Sequence, residues 1–134
     1  MKKVIALFSI ILTMVSCESI SNVANKVNKN QASILSTEWV LADNVKGKSP
    51  SLAIGNGKVS GNAGCNSYNG ELTLVPESGT FSVKGIATTR MMCDNITAEQ
   101  NFLSMLSSAN RYSVSGNVLE LYKDNLLLMK FNKQ

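Results

Sequence analysis

The chain has 134 residues, of which 44% are hydrophobic, and its 13 lysines and arginines and 9 aspartates and glutamates give a formal net charge of +4. This length is enough for one domain. From Ile34 onward nine basic residues are balanced by eight acidic ones, so the folded part lacks the basic surface that nucleic acid requires. The sequence contains no histidine, which excludes Cys–His and Ser–His catalysis.

The beginning of the chain has the layout of an export signal. Two lysines precede an apolar run over residues 4–15, which is too short for a spanning helix because such a helix needs about 20 residues. The sequence Met-Val-Ser-Cys at residues 14–17 resembles a bacterial lipobox, in which cleavage before the cysteine exposes it for lipidation. We therefore predict a signal peptide over residues 1–16 and lipidation of Cys17. Ordinary secretion, with cleavage near Ser16, is the alternative.

Lipidation of Cys17 would anchor the protein to a membrane of the cell envelope, stably so when more than one acyl chain is attached. The next residue is Glu18 and not the aspartate associated with inner-membrane retention, so in a Gram-negative host we expect the outer membrane. Residues 17–33 are polar and rich in asparagine, serine and lysine, which predicts a flexible tether after the anchor. A short amphipathic helix is the alternative for this segment.

From residue 34 the pattern predicts short strands joined by turns. Asn56-Gly57 is a strong hairpin signal, and Asn69-Gly70 precedes a strand in which alternate residues are apolar. The strands before the helix are predicted at residues 39–41, 51–54, 58–61, 71–75 and 81–87.

A helix is predicted from Thr97 to Ala109. Thr97 and Gln100 fit a capping box, and an apolar stripe predicts the face that packs on the core. The stripe consists of Phe102, Leu103, Leu106 and Ala109. Three more strands follow, at about residues 112–114, 119–121 and 126–131. The predicted fold class is α+β and mainly β: a small antiparallel or mixed barrel-like sheet of seven or eight strands, with one helix before the last three.

Two cysteines remain when Cys17 carries lipid. Cys65 lies between Gly64 and Asn66, two residue types that tolerate tight turns, and Cys93 lies in the segment over residues 87–93 that ends the fifth strand. An even pair in an exported protein indicates a disulfide, because that compartment is oxidising. A redox-active pair and two unpaired buried thiols are the alternatives. Without histidine the pair makes a poor zinc site, and we expect no metal and no cofactor.

Other candidate residues have structural explanations. Trp39 is expected in the core, since a lone tryptophan that opens a strand is usually buried. Met91 and Met92 are predicted to fill the core, one side chain pointing in and the other out by strand alternation, in preference to binding a soft metal. Asp94 and Glu99 flank the predicted helix N-terminus, where negative charge is favourable.

Two segments, residues 61–66 and 88–93, contain the most distinctive residues of the sequence. Together with the tryptophan of the first strand they resemble the signature of the META domain family (HslJ-like). The matching positions are Trp39, Gly61, Gly64, Cys65, Asn66, Thr88, Met91 and Cys93. The resemblance covers residues 34–134. It implies a small β-barrel with a helix, found in envelope lipoproteins and secreted proteins with stress-related or secretion-related associations, and it implies no catalytic residue.

We therefore expect a non-enzymatic envelope lipoprotein with a structural, stress-related or protein-interaction role. Its expected partners are the membrane, through the lipid, and an envelope protein. The alternative is a ligand-binding module that holds a small apolar or lipidic molecule in the barrel. A filled barrel interior would favour the first function, and a pocket lined by leucine and methionine at the barrel mouth would favour the second.

Overall fold

The computed structural model describes residues 31–134. The predicted signal peptide over residues 1–16, the predicted lipidation site Cys17 and most of the predicted tether over residues 17–33 lie outside the described residues. Within the described part of the chain, no helix is long and apolar enough to cross a membrane.

Residues 31–134 form eight strands and one helix. In chain order they are β1 (Thr37–Leu41), β2 (Ser51–Gly55), β3 (Lys58–Asn62), β4 (Ser67–Val75), β5 (Thr80–Thr88), α1 (Ile96–Ser108), β6 (Arg111–Ser115), β7 (Val118–Lys123) and β8 (Leu126–Lys133). The strands follow one another in sequence order around a closed barrel, and β8 pairs with β1 to close it. Every pair of neighbouring strands is antiparallel. The predicted mainly β fold, with one helix before the last three strands, is confirmed.

Tight turns join β2 to β3, β6 to β7 and β7 to β8, as the sequence predicts. Gly57 and Gly116 occupy the first two of these turns with φ values of 71° and 57°, which glycine adopts without steric cost. Asp124 has a φ of 54° in the third turn. Its backbone N–H and carboxylate are each hydrogen-bonded to the Asn110 side chain at 2.8 Å, so this non-glycine residue is fixed by its neighbours.

Strand β4 begins four residues earlier than predicted. Asn69-Gly70 lies inside the strand, at the point where its register with β5 shifts. A Cβ atom on Gly70 would lie 2.9 Å from Val83 Cγ1 and 3.2 Å from the Lys84 carbonyl oxygen. This glycine therefore permits close packing between β4 and β5 instead of opening a turn.

Helix α1 agrees with its predicted bounds to within one residue at each end, but the predicted capping box is wrong. The N-cap is Asn95, which makes no side-chain capping bond. The Asn95 side chain instead donates to the Lys46 carbonyl oxygen at 3.4 Å. Thr97 and Gln100 lie within the helix, and a capping residue must have non-helical backbone angles.

The barrel interior is filled by side chains, and the helix supplies part of the filling. Trp39 is 1% exposed, as predicted, and Phe102 and Leu106 of the helical stripe are 2% and 0% exposed. The Phe102 ring lies 5.7 Å from the ring of Tyr68 on β4 and 6.4 Å from that of Phe131 on β8. These strands are four apart in the eight-stranded barrel and hence on opposite walls. The helix therefore packs its apolar stripe into the barrel core.

The two ends of the barrel differ in what they carry. At one end, the N-terminal end, the Gln31 backbone N–H donates to the Pro76 carbonyl oxygen at 2.9 Å, in the turn between β4 and β5. The opposite end, the loop end, carries the connections that follow β1, β3 and β5, which are residues 42–50, 63–66 and 89–95. The residues that resemble the META signature concentrate in these last two connections and in the strands beside them.

Candidate functional site

A disulfide at the loop end joins two of its connections. Cys65 and Cys93 are bonded, with their Cα atoms 6.3 Å apart and a sequence separation of 28. The predicted pairing is confirmed. Closing a loop of this length stabilises the fold by about 3–4 kcal/mol in the chain-entropy model.

The bend that presents Cys65 is built from glycine and asparagine. Gly64 has a φ of 110°, which favours glycine, and its N–H donates to the Asn62 side chain at 2.9 Å. The Asn62 amide in turn donates to the Cys65 carbonyl oxygen at 2.9 Å. Gly61 is needed for a different reason, since a Cβ atom there would lie 2.1 Å from the Ser51 carbonyl oxygen.

Asn66 is the centre of a buried hydrogen-bond network. Its side chain is 2% exposed and bonds to the segment after β5 and to helix α1. The side-chain oxygen accepts from the Met91 N–H at 2.7 Å and from the Thr89 hydroxyl at 2.8 Å. The amide group donates to the Met91 carbonyl oxygen at 3.2 Å and to Glu99 Oε1 at 2.9 Å. One asparagine thus joins the cysteine bend, the segment after β5 and the helix.

Glu99, predicted to be a favourable charge at the helix N-terminus, is part of this buried network. It lies in the first helical turn but is 4% exposed, and its Oε2 atom accepts from the Asn66 backbone N–H at 2.7 Å. Its burial was readable from spacing, because Glu99, Phe102 and Leu106 recur at intervals of three and four residues and so share one helical face.

Met91 and Met92 do not fill the core, and the prediction that one of them points inward is wrong. Their side chains are 58% and 101% exposed. Strand alternation does not apply to them because β5 ends at Thr88, which is itself exposed. Asn66 nevertheless holds the Met91 backbone through both its N–H and its carbonyl group. Two apolar side chains therefore project into solvent from a fixed backbone.

One pocket adjoins the disulfide, and a second pocket shares Lys48, Gly64 and Asn95 with it. The larger, of about 420 Å³, is bounded by the disulfide, Met91, Asp94 and the lysines Lys46 and Lys48. The smaller, of about 190 Å³, lies between the connection after β1 and the helix, beside Leu41, Val45, Phe102 and Met105. It has the apolar lining expected of a ligand pocket but is smaller than the roughly 300–1,000 Å³ that such pockets usually measure.

Two tyrosines with raised pKa values make structural hydrogen bonds. Burial raises the pKa of Tyr68, whose hydroxyl donates to the Ser51 carbonyl oxygen at 2.8 Å. Burial, followed by the hydrogen bond and charge of Glu120, raises the pKa of Tyr122. Both hydroxyls therefore stay protonated. Within residues 31–134 no cluster of three or more cysteine, aspartate or glutamate side chains could hold a metal ion.

Comparison with known proteins gives one family and two solved structures. A family model described as META domain matches residues 32–134. An NMR structure of a protein from Burkholderia xenovorans is 19% identical, with a TM-score of 0.63 over 100% of this chain and 99% of that one. A second NMR structure is 25% identical, with a TM-score of 0.58 over 72% of this chain and 88% of that one. No curated protein matches the chain.

Proposed function

The chain belongs to the META domain family, and from this premise we propose that it is a non-enzymatic, lipid-anchored protein of the cell envelope that acts by binding another envelope component. The loop end of the barrel is the proposed contact surface. The observation that carries the proposal is the exposure of Met91 and Met92 on a backbone held by the disulfide and Asn66. Binding loses less conformational entropy when the backbone of the contact surface is already ordered. A stress-related role and, in a Gram-negative host, an outer-membrane location belong to the same proposal.

The hydrogen bonds of the loop end favour a contact role over catalysis. Asn66 and Glu99 are its most buried polar side chains, and they bond to each other and to neighbouring backbone. A group that acts on a substrate must reach it, and these two side chains are 2% and 4% exposed. What the loop end offers to solvent is apolar methionine and a few charged side chains.

The filled barrel interior also supports a contact role over an apolar ligand held inside the barrel. The interior is occupied by core side chains such as Trp39, Phe81 and Phe131, each at most 1% exposed. A lipidic molecule inside the barrel would have to displace them.

The anchor is tested by mass spectrometry of the protein from cell membranes. We expect the native chain to begin at Cys17 and to carry the added mass of acyl chains, and the Cys17→Ser variant to lose both and to leave the membrane fraction. Ser19→Ala, which changes a hydroxyl two residues away, is the control and should behave as the native chain. An unmodified Cys17 in the native protein would exclude the anchor.

A further inference from the structure

We infer that the loop end binds the loop end of a second copy of this chain. This inference rests on the proposed function and names the partner of its contact surface. It is carried by a protrusion and a recess that lie side by side, by the two signs of charge around them, and by the position of the loop end opposite the barrel end that Gln31 contacts.

The protrusion is Met92. Its side chain is 101% exposed and takes no part in the wall of the 420 Å³ pocket, although its neighbours Met91 and Cys93 do. The side chain is therefore exposed beside the pocket without lining it. Methionine is unbranched and polarizable, so it adapts to an irregular recess.

The recess is the 420 Å³ pocket itself, which has room for a methionine side chain. Gly64, the two disulfide-bonded cysteines and Met91 are among the residues that line it. An isologous dimer requires that one patch be complementary to itself. A surface with a protrusion next to a recess meets this requirement, because each copy can insert Met92 into the pocket of the other.

The charges at the pocket are of both signs. Lys46 and Lys48 line it together with Asp94. In a two-fold arrangement a lysine of one copy can face the aspartate of the other, which favours self-association.

The topology places the loop end away from the point where the described chain enters the barrel. The chain reaches the barrel at the N-terminal end, where Gln31 bonds to Pro76, and the disulfide lies at the opposite end. The flexible tether predicted over residues 17–33 would extend up to about 3.3 Å per residue and so let copies anchored in one membrane turn their loop ends toward each other. Anchoring in one membrane also raises the local concentration of copies, which favours a weak dimer.

Photo-crosslinking in intact cells tests the inference with the full chain. Two copies with different affinity tags are expressed together, and Met92 is replaced by a residue with a photoreactive diazirine side chain. We expect a crosslinked product that carries both tags and joins position 92 of one copy to the peptide around Lys46 or Cys65 of the other. The same residue at Val75, an exposed side chain where β4 ends at the N-terminal end, is the control and should give no such product.

A variant supplies a second measurement without the photoreactive residue. Met92→Asp should reduce copurification of the two tagged copies by more than about tenfold, because each interface loses two buried methionines. The substitution leaves the fold intact since the native side chain is fully exposed. Val75→Asp should leave copurification at the native level.

The outcomes separate this inference from the proposed function. A crosslink from position 92 to a different protein or to lipid, without a product carrying both tags, would overturn self-association and leave the contact role standing. The absence of any crosslink from position 92 would overturn both.

Discussion

At the scale of single residues, the loop end depends on one buried amide. The Asn66 side chain bonds to the backbone of Met91 and to Glu99 Oε1, so its removal would leave one buried carboxylate oxygen and two partly buried backbone groups without these partners. Its backbone N–H would still reach the carboxylate, but its side-chain bonds would be lost. The cost of an unsatisfied buried group is about 1–3 kcal/mol.

We predict that Asn66→Ala lowers the free energy of unfolding by about 1–3 kcal/mol, since the buried Glu99 Oε1 atom loses its side-chain partner. Chemical denaturation followed by circular dichroism measures this change. Asn69→Ala, three residues along β4 at an exposed position, is the matched control and should change stability by less than about 0.5 kcal/mol. Equal losses in the two variants would show that the network contributes nothing to stability.

The exposure of Met91 and Met92 could not be predicted from the sequence, because it depends on a residue that is distant along the chain. Their apolar character predicts burial, and only the early end of β5 and the bonds from Asn66 turn the segment outward. Asn66 lies 25 residues before Met91, and no local pattern indicates that contact.

At the scale of elements, the apolar stripe of α1 was predictable and its cap was not. The stripe follows from the helical period, which is a property of the local sequence. The start of the helix depends on distant contacts, namely the Asn95 side chain on the Lys46 carbonyl group and the Glu99 carboxylate on Asn66. The hairpin at Gly57 was likewise predictable because its two turn residues determine the turn type.

Leu106 tests the packing of the helix on the core. The side chain is 0% exposed, and we predict that Leu106→Asp unfolds the protein because an unpaired charge would be forced among apolar side chains. Thermal unfolding followed by circular dichroism should show no cooperative transition. Ser104→Asp places the same charge on the exposed face of α1 and should keep the transition. A native melting temperature in the Leu106 variant would contradict the inward orientation of the stripe.

At the scale of the whole molecule, the sequence predicts hairpins but not the contact that closes the barrel. β1 and β8 pair through Trp39 with Lys133 and through Leu41 with Phe131, residues that lie at the two ends of the domain sequence. Alternation of apolar residues shows which face of each strand is buried, and it does not say which strands become neighbours. Closure is thus decided by the collective burial of the core.

The disulfide stabilises the closed barrel chiefly by lowering the conformational entropy of the unfolded chain. Residues of the core and the β1–β8 pairing remain when both sulfurs are removed, so we predict that the double variant Cys65→Ala/Cys93→Ala keeps the far-ultraviolet circular dichroism of the barrel. Its free energy of unfolding should fall by about 3–4 kcal/mol, because the unfolded chain regains the freedom of the opened loop.

Urea denaturation of the variant and of the native protein, with and without reductant, measures the difference. The reductant should lower the stability of the native protein toward that of the variant and leave the variant unchanged. A variant as stable as the oxidised native protein would show that the bond contributes nothing, and the bend around Cys65 would then be maintained by Asn62 and Asn66 alone.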